Sequence, residues 1–298
     1  SILGQGNHLD RVTNLLKRKG IDCIMYDELT ATGDASLVDE LSSLARASKA
    51  QAIIGLGGMR ALSIARCVAN TAGAKITISE LILETPKQRP LPYIEIPSIY
   101  RNHLLMRPEA IVKNPQSQSV QLVHLHPNTM VSAVVDTGFL DTLSTKYAAA
   151  AMLDTLLAAI EAYATAQPTV YTDTLLQKGV QHLFNAAFGL SRHETDPRYR
   201  DMAAEASIMV AMALGVCSQG MGGAAAYTLN VQANLPKSWI AAILLPHVAD
   251  ILLNHLPARM AELAPVMDSS IDEVVTEEAT PVVARSIRRL VGRLDLPK

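Results

Sequence analysis

Two carboxylates interrupt an otherwise apolar helical stretch, Tyr147 to Tyr163, with the sequence YAAAAMLDTLLAAIEAY. Asp154 and Glu161 are seven residues apart, so a helix places both on one face, ~10 Å from each other along its axis. A carboxylate in an apolar core needs a metal ion, a cationic side chain or hydrogen-bond donors, because an unpaired buried charge is costly. The pattern predicts either a metal site or a satisfied ion pair at Asp154, and the helix alone does not distinguish them.

The helix that carries these carboxylates is predicted to lie in the middle of a bundle. The stretch contains no glycine or proline, consists mostly of strong helix formers and is long enough for about five turns. It is apolar nearly all round, which is typical of a helix surrounded by other helices rather than one at a surface.

Composition bounds the class of protein. The chain has 298 residues, of which 49% are hydrophobic and 18% charged, with a net charge of -2. This length allows two modest domains with a sizeable core. The near-neutral charge gives no electrostatic reason to expect nucleic acid or acidic membrane surfaces as partners.

Cysteine usage indicates a reducing compartment. The three cysteines, Cys23, Cys67 and Cys217, are odd in number, far apart and not in metal-ligand spacing. Such thiols are typical of cytoplasmic proteins, and the N-terminal residues lack the pattern of a signal peptide. We therefore expect a cytoplasmic location.

One uncharged stretch, residues 206–236, resembles a membrane span by its lack of Asp, Glu, Lys and Arg. Polar residues and glycines interrupt it, and the mean hydropathy of the chain is only +0.18. Two buried bundle helices therefore fit this stretch better than a span, and no membrane partner is expected.

Strand and helix patterns alternate through the first part of the chain. Residues 8–19 have helical spacing, Ile21 to Tyr26 reads as a short strand, and Asp34 is placed to cap a second helix. An apolar strand at 52–58 runs into glycines and then a helical run, and further short apolar runs follow at Tyr93 to Ile96, Val120 to Leu125 and Met130 to Val135. This alternation predicts a wound α/β domain of the nucleotide-binding type, with a largely parallel sheet, over residues 1–141.

The pattern after residue 141 is helical. Long alanine- and leucine-rich segments, separated by polar or proline-containing breaks, lie at 144–165, 172–188, 197–217, 238–255 and 271–293. They predict an all-helical bundle domain over residues 142–298.

The ordered strings IIGLGGMRALSIAR, IEIPS, VVDTGFLDTL, AMLDTLLAAIEAY and GMGGAAAYTLNVQANLPKSWIAAILLPHV resemble the signature segments of the iron-containing (group III) alcohol dehydrogenase family. The resemblance implies a dehydroquinate synthase-like fold, an NAD(P)-dependent oxidoreductase acting on an alcohol or aldehyde, and a homodimer. The chain begins where the family's first strand would have ended, and we expect that strand to be missing here or the domain to be smaller than usual.

The resemblance assigns cofactor-binding positions, with departures. The family cradles a pyrophosphate on a strand, a GGGS turn and a helix N-terminus. Gly57 and Gly58 remain here, but Met59 replaces the third glycine and Arg60 the serine. A Cβ at 59 disfavours positive φ and close phosphate approach, whereas Arg60 could contact a phosphate. The second cofactor loop retains only a proline and Ser98. Weak binding of NAD or NADP and a tight turn without ligand both remain open.

The metal site implied by the resemblance retains one of four ligand positions. Asp154 matches the aspartate, whereas the three histidine positions fall on Ala158, Gly223 and Lys237. Because a catalytic iron or zinc needs about three protein ligands, we expect neither metal to bind. The remaining histidines are better explained as packed or surface residues.

Two hypotheses of different class follow. In the first, a protonated Lys237, with or without Tyr227 at the family's substrate-side histidine position, polarises an alcohol or aldehyde substrate in place of the metal. In the second, the chain has lost dehydrogenase chemistry and serves as a binding or structural protein. In both, we expect Lys237 to pair with Asp154, because the resemblance places both positions at one ion.

Overall fold

The computed structural model describes residues 8–29, 34–105, 107–114, 119–140, 143–165, 167–192, 196–233, 235–271 and 274–294. The chain divides into two compact units, the first formed by residues 1–99 and 108–144 and the second by 100–107 and 145–298. Within the described residues every strand lies in the first unit, and the second is helical. The predicted fold class, an α/β region followed by a helical one, is confirmed.

The first unit contains five strands and four α-helices among the described residues. In chain order these are α1 (His8–Arg18), α2 (Asp34–Ala47), β1 (Ile53–Gly57), α3 (Met59–Ala74), α4 (Ile78–Leu83), β2 (Tyr93–Pro97), β3 (Glu109–Lys113), β4 (Val120–His124) and β5 (Met130–Ala133), followed by a 3-10 turn, Thr137–Leu140. Strands β1, β2 and β5 form a parallel sheet in the order β1-β2-β5, whereas β3 and β4 form an antiparallel hairpin.

A buried ion pair ties α3 to the sheet. The guanidinium of Arg66 donates two hydrogen bonds of 2.6 Å to the carboxylate of Glu95 in β2. It donates a third, of 2.8 Å, to the backbone carbonyl of Glu109 in β3. Because both oxygens of the carboxylate are paired, this buried charge is compensated, and helix, sheet and hairpin are held together.

The predicted strand at Ile21 to Tyr26 is wrong. Residues 21–29 have no regular secondary structure, and their apolar side chains are largely exposed, with Ile24 at 65%. A strand is stabilised by pairing with a neighbour, and within the described residues no strand pairs with this segment. The side chain of Asp34, predicted as a helix cap, lies outside the described part of the chain.

In the first unit, strand β3 and helix α4 were not predicted from the sequence. Strand β3 is only five residues long and has charged residues at both ends, so its alternation is too short to recognise. Helix α4 starts with a capping box, in which Thr77 Oγ1 accepts from the backbone N–H of Glu80 and the Glu80 carboxylate accepts from the N–H of Thr77. That motif could have revealed the helix.

The second unit contains eight helices in its described part. They are α5 (Thr145–Tyr163), α6 (Val170–Leu190), α7 (Pro197–Leu214), α8 (Met221–Ala233), α9 (Lys237–His255), α10 (Pro257–Ala261), α11 (Ala264–Met267) and α12 (Thr276–Arg293). The predicted helical segments agree within a few residues, except that α12 begins five residues later. The uncharged stretch at 206–236 contains the second half of α7 and all of α8. The expected pair of helices is present, but the prediction that both are buried is wrong for α8, because only Gly222, Gly223 and Ala226 of its 13 residues are buried.

Helix α5 is the centre of this unit. Every residue from 148 to 163 is buried, and α6, α7, α8 and α9 all pack against it. The alanine run 148–151 and Ala158 and Ala159 present almost no side chain, so neighbouring helices approach closely around it. The prediction of a helix buried in the middle of a bundle is confirmed.

Among the described helices, α9 alone is long and apolar enough to cross a membrane by length and composition. Such a helix is weak evidence for a span, because the core helix of a folded domain passes the same test. Here α9 packs against α5, α8 and α12.

We predict that Gly73→Ala destabilises the first unit. A Cβ at Gly73 in α3 would lie 2.7 Å from the backbone nitrogen of Leu91 and 2.8 Å from the carbonyl oxygen of Arg89. Backbone atoms do not yield as a flexible side chain does, so we expect a loss of about 1–3 kcal/mol in unfolding free energy, measured by urea denaturation. Gly292→Ala in α12 is the matched control, because no atom lies within 4 Å of its added Cβ. Equal stability of both variants would contradict this packing.

Candidate functional site

Asp154 accepts hydrogen bonds from three side chains within the second unit. Its side chain is fully buried in the middle of α5. Oδ1 accepts from the ammonium of Lys237, while Oδ2 accepts from Ser238 Oγ at 3.0 Å and from Arg101 Nη1 at 3.2 Å. The predicted pair of Asp154 and Lys237 is confirmed, and two further donors, Arg101 and Ser238, were not predicted.

Two chain segments bring these donors to α5. Lys237 and Ser238 are the first two residues of α9, which follows Pro236 at its N-cap. Arg101 lies in the segment 100–107, which joins the helical unit rather than the sheet. Thr155 Oγ1 donates to the carbonyl of Tyr100 at 2.8 Å, and thereby fixes this segment next to Asp154.

Of the two donors that were not predicted, Ser238 was easier to find from the sequence than Arg101. Ser238 adjoins Lys237, so a helix starting there could have suggested it as a second donor. Arg101 stands in a stretch that the resemblance aligned with the second cofactor loop of the other domain. Nothing in its local pattern indicates that its segment packs on the central helix.

Tyr227 in α8 lies beside the two cations. The ammonium nitrogen of Lys237 is 4.7 Å from the centre of the Tyr227 ring, and the guanidinium carbon of Arg101 is 5.8 Å from it. Such contacts are favourable when the cation is desolvated. The phenolic oxygen is buried and has no hydrogen-bond partner in the described part of the chain. The structure thus brings together both predicted catalytic residues, Lys237 and Tyr227.

His103 completes the cluster and was not predicted. It is 3% exposed, and neither ring nitrogen has a hydrogen-bond partner among the described residues. Burial, reinforced by the positive charges of Lys237 and Arg101, lowers the pKa of His103 to about 3. The imidazole is therefore neutral at physiological pH, with one donor and one acceptor nitrogen.

The cluster keeps its carboxylate charged. Burial alone raises the pKa of Asp154, but the charges of Lys237 and Arg101 outweigh it and hold this pKa below its usual range. Burial lowers the pKa of Lys237, the charge of Arg101 lowers it further, and Asp154 opposes both. Asp154 is therefore ionised across the physiological range, and its charge is balanced by side chains.

Glu161, the second carboxylate of α5, is satisfied in a different way. Its two oxygens accept from the backbone N–H groups of Gly222 at 2.5 Å and Gly223 at 3.0 Å, at the start of α8. A Cβ at Gly220 would lie 2.5 Å from Glu161 Oε1. The glycine-rich run 220–223 therefore lets the carboxylate approach closely and accept hydrogen bonds from backbone N–H groups. This agrees with the affinity of helix N-termini for negative groups.

The positions that the resemblance assigns to metal ligands hold Asp154, Ala158, Gly223 and Lys237. Among the described residues, no group of three or more His, Cys, Asp and Glu side chains could hold an ion. Ala158 is buried without a ligating atom, and the place of a side chain at Gly223 is taken by the amide of Gln219. Asp154 already binds two cationic side chains. Of the four positions, only Asp154 carries a carboxylate or imidazole side chain.

The predicted cofactor residues meet at the carboxyl ends of two parallel strands. Gly57 ends β1, Gly58 caps α3, Arg60 follows in its first turn, and Ser98 comes directly after β2. The N–H of Ser98 donates to the carbonyl of Gly57 at 2.9 Å. Open parallel sheets bind ligands at this edge. Gly58 at the N-cap of α3 makes no side-chain capping hydrogen bond, and helix N-termini are suited to anions.

The prediction that position 59 requires a positive φ is wrong. The positive φ of this turn is at Gly57, where it is 146°, and Met59 already has helical geometry with a buried side chain. Replacement of the third glycine therefore causes no backbone strain. The strength of dinucleotide binding remains a prediction.

We predict that loss of Asp154 costs more than loss of Lys237. Asp154→Asn leaves Lys237 and Arg101 facing each other without a counterion, whereas Lys237→Met leaves Asp154 paired with Arg101. Breaking a buried pair from one side costs about 3–5 kcal/mol, and we expect Asp154→Asn at the upper end. The double variant should cost less than the sum of the two single ones, because the charges leave together. Chemical denaturation of the four proteins measures this, and additive losses would refute the coupling.

We predict a pH dependence of stability from His103. The folded imidazole stays neutral until its pKa of about 3, whereas the unfolded one takes up a proton below its ordinary value of 6.5. The unfolded state therefore binds more protons in this window, and stability falls with pH by about 1.4 kcal/mol per unit below 6.5. His103→Asn should flatten the profile measured by urea denaturation, whereas His255→Asn, at an exposed position, should not. Parallel profiles for wild type and His103→Asn would contradict a buried neutral imidazole.

Comparison with known proteins identifies the family. The C-terminal model of the Fe-containing alcohol dehydrogenase family matches residues 148–298, and the iron-containing alcohol dehydrogenase model matches residues 1–137. Long-chain-alcohol dehydrogenase 1 of Geobacillus thermodenitrificans is 22% identical over 97% of this chain and 74% of its own length. Alcohol dehydrogenase 4 of Saccharomyces cerevisiae is 24% identical over 85% of this chain and 67% of its own length.

Solved structures share the fold. A 1,3-propanediol oxidoreductase superimposes with a TM-score of 0.90 at 20% identity, over 97% of this chain and 76% of that one. A sulfoacetaldehyde reductase from Bifidobacterium kashiwanohense, in complex with NAD+, superimposes with a TM-score of 0.84 at 15% identity, over 98% of this chain and 76% of that one. With the family models matching both halves of its sequence, the chain belongs to the iron-containing alcohol dehydrogenase family.

Proposed function

We propose that the chain is an NAD(P)-dependent oxidoreductase that interconverts a small alcohol and its carbonyl compound without iron or zinc. The observation that carries the proposal is the charge balance at Asp154, where Lys237 and Arg101 hold the carboxylate that the family uses for its metal. The family supplies the reaction class, and its named members include alcohol dehydrogenases and an aldehyde reductase.

The cofactor part of the proposal is supported within the first unit. Gly57 provides the turn after β1, and the uncapped N-terminus of α3 offers N–H groups to a pyrophosphate. Arg60, in the first turn of that helix, adds a cationic side chain suited to a phosphate. A nicotinamide dinucleotide would supply or accept the hydride. The NAD+ complex of the sulfoacetaldehyde reductase agrees with this choice.

The catalytic part rests on Lys237 and Tyr227. In carbonyl reduction, negative charge develops on the substrate oxygen, and donors fixed in advance in a dry site stabilise it. Asp154 keeps Lys237 positioned as an ammonium, and the buried hydroxyl of Tyr227 has no acceptor within the described residues. That hydroxyl is the donor best suited to bond the carbonyl oxygen and to pass it a proton, with Lys237 as the nearby charge.

A second candidate function is that of a non-catalytic family member acting as a binding or structural protein. It is favoured by the burial of the cluster, since the side chain of Lys237 is only 3% exposed and is already bonded to Asp154. In this alternative the two cation-to-carboxylate contacts of Asp154, with Lys237 and Arg101, serve the helical unit alone. Dinucleotide binding separates the two candidates, because only the enzyme requires it.

The assembly and location belong to the proposal as well. We propose a cytoplasmic homodimer whose small-molecule partner is the alcohol or aldehyde. An edge of the β1-β2-β5 sheet that is unpaired within the described residues supports a dimer, since exposed edges favour pairing. Light scattering after size exclusion measures the state directly.

We predict that Tyr227→Phe separates catalysis from stability. The substitution removes a buried hydroxyl that has no partner among the described residues, so the free energy of unfolding should be unchanged or slightly higher. The loss of a positioned proton donor should lower kcat by about 10²-fold. The assay uses NADH or NADPH with short aldehydes, with and without a metal chelator, and we expect the chelator to leave kcat unchanged.

Two outcomes decide against the proposal. The first is that neither NADH nor NADPH gives fluorescence enhancement or a thermal shift with the wild-type protein, which would leave the non-catalytic alternative. Alternatively, activity may require about one equivalent of iron or zinc per chain and disappear in Asp154→Ala, which would show that the residues do hold a metal. Activity of Tyr227→Phe equal to that of wild type would remove Tyr227 from the mechanism.

A further inference from the structure

Buried donors outnumber acceptors around Asp154. Its carboxylate accepts from Lys237, Arg101 and Ser238, which leaves it with little capacity for more. Further polar atoms are buried without a hydrogen-bond partner in the described part of the chain: Nε of Arg101, Oη of Tyr227 and both ring nitrogens of His103. At least three of them carry hydrogen, since a neutral imidazole has one N–H. These three donors have no acceptor among the described residues.

Such a deficit is costly unless a ligand relieves it. A buried donor without an acceptor destabilises the folded state, and a charged donor does so more strongly. Arg101 and Lys237 each carry a charge, and Asp154 offsets only one of them within this group. Glu161 also acts on Lys237, but its oxygens already accept from the amides of Gly222 and Gly223. The chemistry that would complete the cluster is a small anion with several acceptor oxygens.

We propose that Arg101 and His103 bind the carboxylate of a short oxo acid or hydroxy acid, and that this acid is the substrate of the site. The inference rests on the proposed function, since it assigns the carbonyl end of the same molecule to Lys237 and Tyr227. Arg101 and His103 are specificity-determining residues in this arrangement, and the free Nε–H of Arg101 is the main donor to the acid group.

The geometry limits the length of the substrate. Arg101 and Lys237 bind the two oxygens of one carboxylate, and both lie over the same Tyr227 ring, at 5.8 Å and 4.7 Å from its centre. A ligand that reaches both head groups must therefore have its acid and carbonyl groups on adjacent or nearly adjacent carbons. A 2-oxo acid and its 2-hydroxy acid meet this condition.

The reaction is balanced with a reduced nicotinamide dinucleotide as the hydride donor. The hydride adds to the carbonyl carbon and forms the new C–H bond, while the π bond of the carbonyl breaks and its electron pair passes to the oxygen. Tyr227 gives that oxygen its proton and recovers one from solvent. The oxo acid is reduced to the hydroxy acid, the dinucleotide is oxidised, and the carboxylate held by Arg101 does not react.

The test of binding uses oxamate and oxamide, which differ only in carrying an acid or an amide beside the same unreactive carbonyl. Calorimetric titration of the full chain should show oxamate binding and at least tenfold weaker binding of oxamide. Arg101→Gln and His103→Gln should each weaken oxamate binding by tenfold or more. Arg288→Gln is the matched control, because Arg288 is exposed and bonds Asp250 on the far part of α9.

The outcomes distinguish the inference from the proposed function. Equal affinity for oxamate and oxamide, or no binding of oxamate to the wild-type chain, overturns the inference. If Arg101→Gln does not fold, the His103→Gln result decides, and unchanged oxamate affinity in that variant overturns it as well. Oxamate binding without reduction of glyoxylate or pyruvate by NADH or NADPH supports the acid site and overturns the proposed function. Reduction of acetaldehyde at the same kcat/KM as glyoxylate supports the proposed function and overturns the acid as its substrate.

Discussion

The need to compensate one buried negative charge organises the second unit. Asp154 lies in the middle of α5 with no exposed surface, so its charge must be balanced from inside the protein. Lys237 in the first turn of α9 and Arg101 in the segment 100–107 both donate hydrogen bonds to this carboxylate. In a family whose aspartate at this position binds a metal, this chain has two cationic side chains there instead.

Replacing an ion by side chains changes what the site can do. A metal ion polarises a carbonyl with a charge that needs no proton, whereas Lys237 is useful only while it is protonated. Asp154 favours the charged form, and burial together with Arg101 disfavours it. The proposed mechanism uses Lys237 as an ammonium in a dry environment, where its field is weakly screened. In the proposed mechanism, the nearby phenol of Tyr227 is the proton donor that a bare charge lacks.

The sequence was sufficient for the helical unit and for half of the site. The periodicity and alanine content of α5 predicted a central buried helix. The carboxylate within it required a partner, and the family resemblance identified that partner as Lys237. Arg101 and His103 were not found, because their role depends on a short segment that leaves the sheet and packs on a distant helix. The strand predicted at 21–26 failed for a related reason, since apolar alternation says nothing about whether a pairing neighbour exists. Local patterns specify helices well and specify tertiary partners poorly.

In the proposed mechanism, the contact between Lys237 and Asp154 serves both stability and chemistry. The two roles place opposite demands on it, because stability favours a tight pair and chemistry requires a free ammonium. Lys237 compensates the charge of Asp154. The more tightly these two residues are paired, the less available the Lys237 ammonium is to a substrate oxygen in the proposed mechanism. Arg101 relaxes this conflict, because a second cation on Oδ2 allows Asp154 to remain paired if Lys237 turns toward a substrate oxygen. The surplus of donors then has a physical purpose: a carboxylate with two cations tolerates the temporary loss of one. A site with Lys237 as its sole cation would have to break its only buried pair to act, at a cost that substrate binding would need to offset.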